Sequence, residues 1–344
     1  MQCCAAEQKC IRPLFWSKLS SACGCGPRTV ILWTGCAPDA RQSTEFSAVS
    51  GIPTLSRRSF LILSTAALAA CNLEDEVLKF TGMTMGTQYN VVALKGGKAV
   101  DRAALAAAID TALAQVNDEM SNWDATSEIS RVNAAGTEAV RLSPALADLM
   151  ENANAVHAAS DGRFDVTVGP LIDLWGFGAA GSTAHVPEEG AIAEARALTG
   201  QSRVLTLENG TLRKSVAGAE IYLPAIGKGH GVDRVATAVR SFGIENFMVE
   251  IGGDLYTAGH NADGTPWHIG IESPVAGARS VYSVVDVSNL GMATSGDYRN
   301  YFEADGTRYS HIIDPTTGRP ITHNTVSASV LTENAMLADA WSTA

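Results

Sequence analysis

The chain has 344 residues, 46% of them hydrophobic and 18% charged, the composition of a globular protein with material for one large domain or two modest ones. Its net charge of −11 argues against nucleic acid as a main partner, because phosphate backbones are held by clustered Lys and Arg, and the body of the sequence has no such cluster. All seven cysteines lie at or before Cys71, so the body carries no thiol to misoxidise, which suits an oxidising compartment.

Residues 1–55 show no clear periodicity. Cys3/Cys4 and Cys23/Cys25 lack the second half of a metal-ligand spacing, so this stretch is read as an unassigned extension from a misassigned start. Ser56-Arg57-Arg58-Ser59-Phe60-Leu61 is a twin-arginine start, followed by an apolar run to Ala70 that is too short to span a bilayer. Leu68-Ala69-Ala70-Cys71 then resembles a lipobox, in which the cysteine is acylated and becomes the mature N-terminus. The alternative is an internal core segment with a buried cysteine. Under the signal reading, residues 56–71 are a leader. The protein is exported to the periplasmic side of a bacterial membrane and lipid-anchored at Cys71, with a linker over 72–80.

Along the body, Gln88 to Leu94 reads as a strand. Asp101 then caps a helix whose Leu105, Ile109, Leu113, Val116 and Met120 recur at three-to-four spacing. A second helix starts at Ser143-Pro144 and buries Leu146, Leu149, Met150 and Val156, and a third runs from Pro187 to Gly200. Arg203–Leu207 and Thr211–Ser215 flank Asn209-Gly210, a strong hairpin signal. A further helix turns Val232, Val235 and Val239 inward and stops at Gly243, followed by a strand from Phe247 to Ile251. Strands over Trp267–Glu272, Val281–Val287, Tyr309–Ile313 and Val326–Leu331 complete the set. Hairpins mixed with packed helices predict an α+β fold of antiparallel sheets rather than a doubly wound one.

Four blocks place glycines beside polar groups: Met85-Gly86-Thr87, Phe164-Asp165 through Gly169-Pro170, Ala225-Ile226-Gly227-Lys228-Gly229, and Glu250-Ile251-Gly252-Gly253-Asp254. Glycine permits close backbone approach to a ligand, and a helix starting after Gly229 would offer free amides to a pyrophosphate. Each block alone also reads as a tight turn. A fifth block, Ala293-Thr294-Ser295-Gly296-Asp297-Tyr298, leads to Ser310-His311-Ile312-Ile313-Asp314-Pro315. His311 can take a proton near neutral pH, or serve a structural role in its strand. Near the end of the chain, Asp339 and Thr343 stand four residues apart on one helical face, hard oxygen donors suited to Mg2+ held partly by a substrate's phosphates.

These blocks, with Ser121-Asn122-Trp123, Ser127 to Asn133 and Val168-Gly169-Pro170-Leu171 through Trp175-Gly176-Phe177-Gly178, follow one another from about Thr81 onward in an order that resembles the ApbE family of FAD:protein FMN transferases. The resemblance implies a single T-fold-like catalytic domain over 81–344. It implies Met85, Trp123, Phe164, Asp165, Lys228 and Ile313 around FAD, magnesium on Ala225, Asp339 and Thr343, and His311 as the base for a Thr or Ser hydroxyl. The reaction would transfer FMN from FAD and release AMP. The acceptors would be membrane-bound redox subunits with an Asp-Gly…Ser/Thr-Gly-Ala-Thr-like motif, and the twin arginines suggest the subgroup serving nitrous oxide respiration. Two other readings are an FAD pyrophosphatase and a flavin-carrying accessory lipoprotein without turnover. The chain departs from the family pattern at Tyr222-Leu223-Pro224-Ala225, where Asp-Leu-Gly-Gly is common, and at Asp173, where Asn is usual. Relatives continue beyond the position of Ala344, so a truncated C-terminus is expected.

Overall fold

The computed structural model describes residues 29–34 as backbone, and 76–178, 183–274 and 280–344 in full. The twin arginines, the lipobox and Cys71 lie outside the described residues. In chain order the elements begin with strands β1 (Thr29–Thr34), β2 (Val77–Thr84) and β3 (Thr87–Leu94), helices α1 (Arg102–Met120) and α2 (Glu128–Ala134), and β4 (Val140–Arg141). Next come α3 (Pro144–Ala159), α4 (Gly169–Leu174), α5 (Glu189–Ala197), α6 (Gln201–Val204), β5 (Leu205–Glu208), β6 (Thr211–Lys214) and α7 (Pro224–Ser241). The remainder is β7 (Asn246–Ile251), β8 (Asp254–Ala258), β9 (Trp267–Glu272), β10 (Val281–Val287), β11 (Leu290–Gly296), β12 (Tyr301–Ala304), β13 (Thr307–Ser310), β14 (Ile313–Asp314), β15 (Arg319–Pro320), β16 (Thr325–Thr332) and α8 (Ala335–Thr343).

The frame is a seven-stranded sheet in the order β1-β16-β11-β8-β7-β3-β2, antiparallel at every pairing. This is the α+β, antiparallel architecture that the hairpin signals predict. Met85 and Gly86, both at positive φ, make the two-residue turn between β2 and β3, and Asn209-Gly210 does the same between β5 and β6. Asp101 accepts from the amides of Ala103 and Ala104, and Ser143 from that of Leu146, so both predicted N-caps close their helices.

One face of the sheet is covered by α1 and α7. Leu105, Ile109 and Leu113 meet Val232, Val235 and Val239 over Val91, Phe247, Val249 and Ile251. On a second core, Trp267, Ile269, Ile271 and Val287 of the β9–β10 ribbon pack against Leu255, Met292 and Leu331 of the sheet. A third core joins α2 and α3 to Ile226 of α7 and Met336, Leu337 and Ala340 of α8. Helices α7 and α8 are tied by Asp233, whose carboxylate accepts from the amides of Ala335 and Met336 and so caps α8 from α7.

Two expectations are corrected, and part of the unassigned extension takes on an element. Strand β2 begins inside the stretch read as linker, with Leu78 and Phe80 buried in period two. Residues 29–34, from the unassigned extension, form an edge strand on β16. Helix α7 starts at Pro224, not after Gly229, so Gly229 has no free helix-start amide; its N–H donates to Asp339 Oδ2 at 3.0 Å. The glycines hide this helix because they depress propensity, yet packing requires them. A Cβ on Gly229 would lie 2.2 Å from the Ala335 carbonyl oxygen, and one on Gly231 2.6 Å from Met85 Cε.

Candidate active site

Among the described residues, a cavity of about 520 Å3 is lined by residues from Arg163 to Thr343, within the size range of small-molecule sites. Its walls come from the loop after α3, the start of α7, the β7–β8 turn, β9, β11, the segment before β14, and α8. His311, Phe164, Asp165, Lys228, Ile313, Ala225, Asp339 and Thr343 all line it. Met85 and Trp123 are placed otherwise. Met85 is packed between two cores against Gly231. Trp123 is 61% exposed with its ring 6.0 Å from that of Tyr222, which does line the cavity.

The loop carrying Phe164 is held by buried polar contacts. Asp165 Oδ1 accepts from the amide and hydroxyl of Thr167, and Oδ2 from the Gln201 amide at 2.8 Å. Gln201 accepts in turn from the Val166 amide at 3.0 Å. Both carboxylate oxygens of Asp165 are therefore engaged within the fold, which makes it a support of the wall that Phe164 presents. Gln201 carries no motif signal; only the folded loop brings it there.

The β7–β8 turn needs its glycines: Gly252 and Gly253 have φ of +59° and +102°, and a Cβ on Gly253 would meet nothing within 4 Å. Glu250 fixes this turn by accepting from Asn90 and from the Gly253 amide, both at 2.6 Å. Tyr222, also on the cavity lining, has its hydroxyl pushed up to about 12 by burial and by the neighbouring Asp173 charge, so it stays a protonated donor. Asp173 is itself raised by burial.

The charged floor joins Lys228, Asp254 and Asp339. The Lys228 ammonium is bonded to Asp254 Oδ2 and lies 3.7 Å from Asp339 Oδ1. Burial opposes its charge, and the two carboxylates outweigh that, so its pKa rises above the ordinary Lys value. Burial, then the Asp254 charge, pushes the Asp339 carboxyl above the usual range despite Lys228 and the Gly229 amide. Beside it, Ser295 Oγ is 3.0 Å from Thr343 Oγ1 and 2.7 Å from Ser342 Oγ, which ties β11 to the last turn of α8.

Among the described residues no group of three or more His, Cys, Asp or Glu forms a closed metal cage. Ala225, Asp339 and Thr343 instead all line the cavity, and their main-chain carbonyl, carboxylate and hydroxyl are hard oxygen donors. Such a donor set fits a magnesium that keeps oxygen ligands from a phosphate.

His311 Nδ1 lies 3.0 Å from the Asn300 carbonyl oxygen, which can only accept, so Nδ1 carries the hydrogen and Nε2 the lone pair. Burial lowers its pKa, the Asn300 carbonyl opposes this, Lys228 lowers it and Asp297 opposes; the net direction is down from 6.5. At neutral pH the ring is an uncharged base on the cavity wall.

An ammonium, hard-oxygen donors and a neutral histidine around one cavity make a site fitted to an anionic, phosphate-bearing ligand. The ApbE family model matches residues 85–344. The FAD:protein FMN transferase of Vibrio cholerae is 44% identical over 283 residues, covering 82% of this chain and 84% of that protein. The enzyme of that name from Haemophilus influenzae is 39% identical over 284 residues, covering 80% and 82%. Among solved structures, the flavin transferase ApbE from Vibrio cholerae superposes with a TM-score of 0.73 at 42% identity, covering 78% of this chain and 86% of that one. The apo flavinyl transferase ApbE of Pseudomonas stutzeri superposes at 0.72 with 37% identity, covering 78% and 84%. The chain belongs to the ApbE family.

Proposed function

We propose that this protein is an FAD:protein FMN transferase that joins FMN through a phosphodiester to a Thr or Ser hydroxyl of a target protein, with AMP released. The observation that carries the reading is the convergence of His311, Lys228, Asp339 and Thr343 on one cavity in a chain 44% identical to a transferase of that name. His311 Nε2 takes the proton of the acceptor hydroxyl as its oxygen attacks the FMN-side phosphorus. The bond from that phosphorus to the bridging oxygen breaks, and the proton is passed on to solvent or AMP. Lys228 sits where it can offset charge on the pyrophosphate, and Phe164, Ile313 and Tyr222 give the flavin or adenine ring apolar walls.

Ala225, Asp339 and Thr343 are the residues that would hold Mg2+, which when bound supplies further neutralisation of the pyrophosphate. The acceptors we infer are membrane-bound redox subunits. A twin-arginine leader and a lipid anchor at Cys71 would put the enzyme on the periplasmic side beside them.

The test is to incubate the protein with FAD, Mg2+ and an acceptor domain carrying the target hydroxyl, and to weigh the acceptor intact. A gain of one FMN residue, lost in His311→Ala, is expected. AMP release without a mass gain would point to the pyrophosphatase, and neither product to a flavin carrier.

A further inference from the structure

Lys228 has two buried carboxylate neighbours, only one of which lines the cavity. Asp339 lines the cavity with it, whereas Asp254 lies behind, its side chain 2% exposed at the first position of β8. The ammonium is bonded to Asp254 and stands off from Asp339 at 3.7 Å. Asp254 follows the Gly252-Gly253 turn directly and is paired across the ladder with Ile251.

We propose that Asp254 is a positioning residue that anchors the Lys228 ammonium on the sheet side of the cavity and so keeps it from closing onto Asp339. This rests on the reading of Asp339 as a magnesium ligand. The physical point is competition. An ammonium and a divalent cation both seek the Asp339 carboxylate, and an ammonium seated there would displace the metal's only charged protein ligand in the set of Ala225, Asp339 and Thr343. Asp254 gives Lys228 a second buried carboxylate, one that is not part of the cavity lining. Two cations can then flank a bound pyrophosphate instead of contending for one anion. Asp254 needs no contact with substrate or metal to do this; it acts through Lys228.

The experiment uses the full chain loaded with FAD, without acceptor, and Mn2+ as the probe, with free Mn2+ read by electron paramagnetic resonance. D254N keeps the side-chain shape and removes the anchoring charge. It is expected to weaken Mn2+ binding about tenfold and to raise by a similar factor the Mg2+ concentration giving half-maximal FMN transfer, while D254E restores part of both. In a K228M background the competing ammonium is gone, so adding D254N is expected to change Mn2+ binding no further; this double variant also leaves no unpaired buried ammonium to upset folding. Weakening by D254N in the K228M background would overturn the inference, because Asp254 would then be a ligand itself or a general structural support. A D254N protein that titrates like wild type would overturn it alone, whereas wild type with neither Mn2+ binding nor a Mg2+ requirement would bring down the metal reading together with it.

Discussion

His311 shows how one side chain acquires a role from its surroundings. The Asn300 carbonyl fixes the tautomer, and burial holds the ring neutral. Because the working form is the unprotonated one, and the pKa is lowered, the acid limb of kcat/KM for the acceptor is expected below pH 6.5. Asp297→Asn, which removes a charge that raises the histidine, is expected to move that limb further toward acid. A limb above 6.5, or one that shifts upward in the variant, would count against His311 as the base. The residues legible from sequence were those in compact motifs: His311, Lys228, Ala225, Asp339 and Thr343 all reach the cavity. What the motifs could not convey was partnership. Asp165 sits in a motif, yet its carboxylate is spent on Thr167 and Gln201, and Gln201 is 36 residues away along the chain. Met85 and Trp123 also lie in motifs, yet Met85 packs against Gly231 within the cores and Trp123 is exposed beside Tyr222.

The crossing of α7 and α8 sets the element scale. Gly229 lets the helices approach until its amide bonds to Asp339, so the spacing of two backbones decides where the carboxylate points. Gly229→Ala gains about 1 kcal/mol of helix propensity. It also drives a methyl to 2.2 Å from the Ala335 carbonyl oxygen, and overpacking of that kind costs about 1–3 kcal/mol with no flexible side chain to yield. The variant is expected to melt lower than wild type and to lose transfer activity; a melting temperature at or above wild type would show that the helices can part freely. Periodicity revealed α1 and α3, whose apolar stripes are long and whose caps are conventional. It missed β8, every residue of which is buried so that no alternation marks it, and it shortened α7, where glycines required by packing mimic a turn.

At the scale of the molecule, the cavity draws on segments from Arg163 to Thr343, so its ligand should add contacts between parts of the chain far apart in sequence. Saturation with FAD at about a hundred times its Kd is worth roughly 2.7 kcal/mol. For a domain of this size that raises the melting temperature by roughly 5–10 °C. Differential scanning fluorimetry with and without FAD checks this, and an unmoved transition would mean that the cavity does not take the nucleotide.

The edge strand β1 carries a consequence for the life history of the chain. It lies upstream of the twin arginines and Cys71, yet it supplies the outermost pairing of the sheet, Thr29 to Thr34 along β16. Were the chain processed ahead of Cys71, β1 would leave with the leader. Under that processing, cleavage and completion of the sheet by β1 would exclude one another. A chain without β1 would leave β16 without the backbone partner that Thr29 to Thr34 give it here.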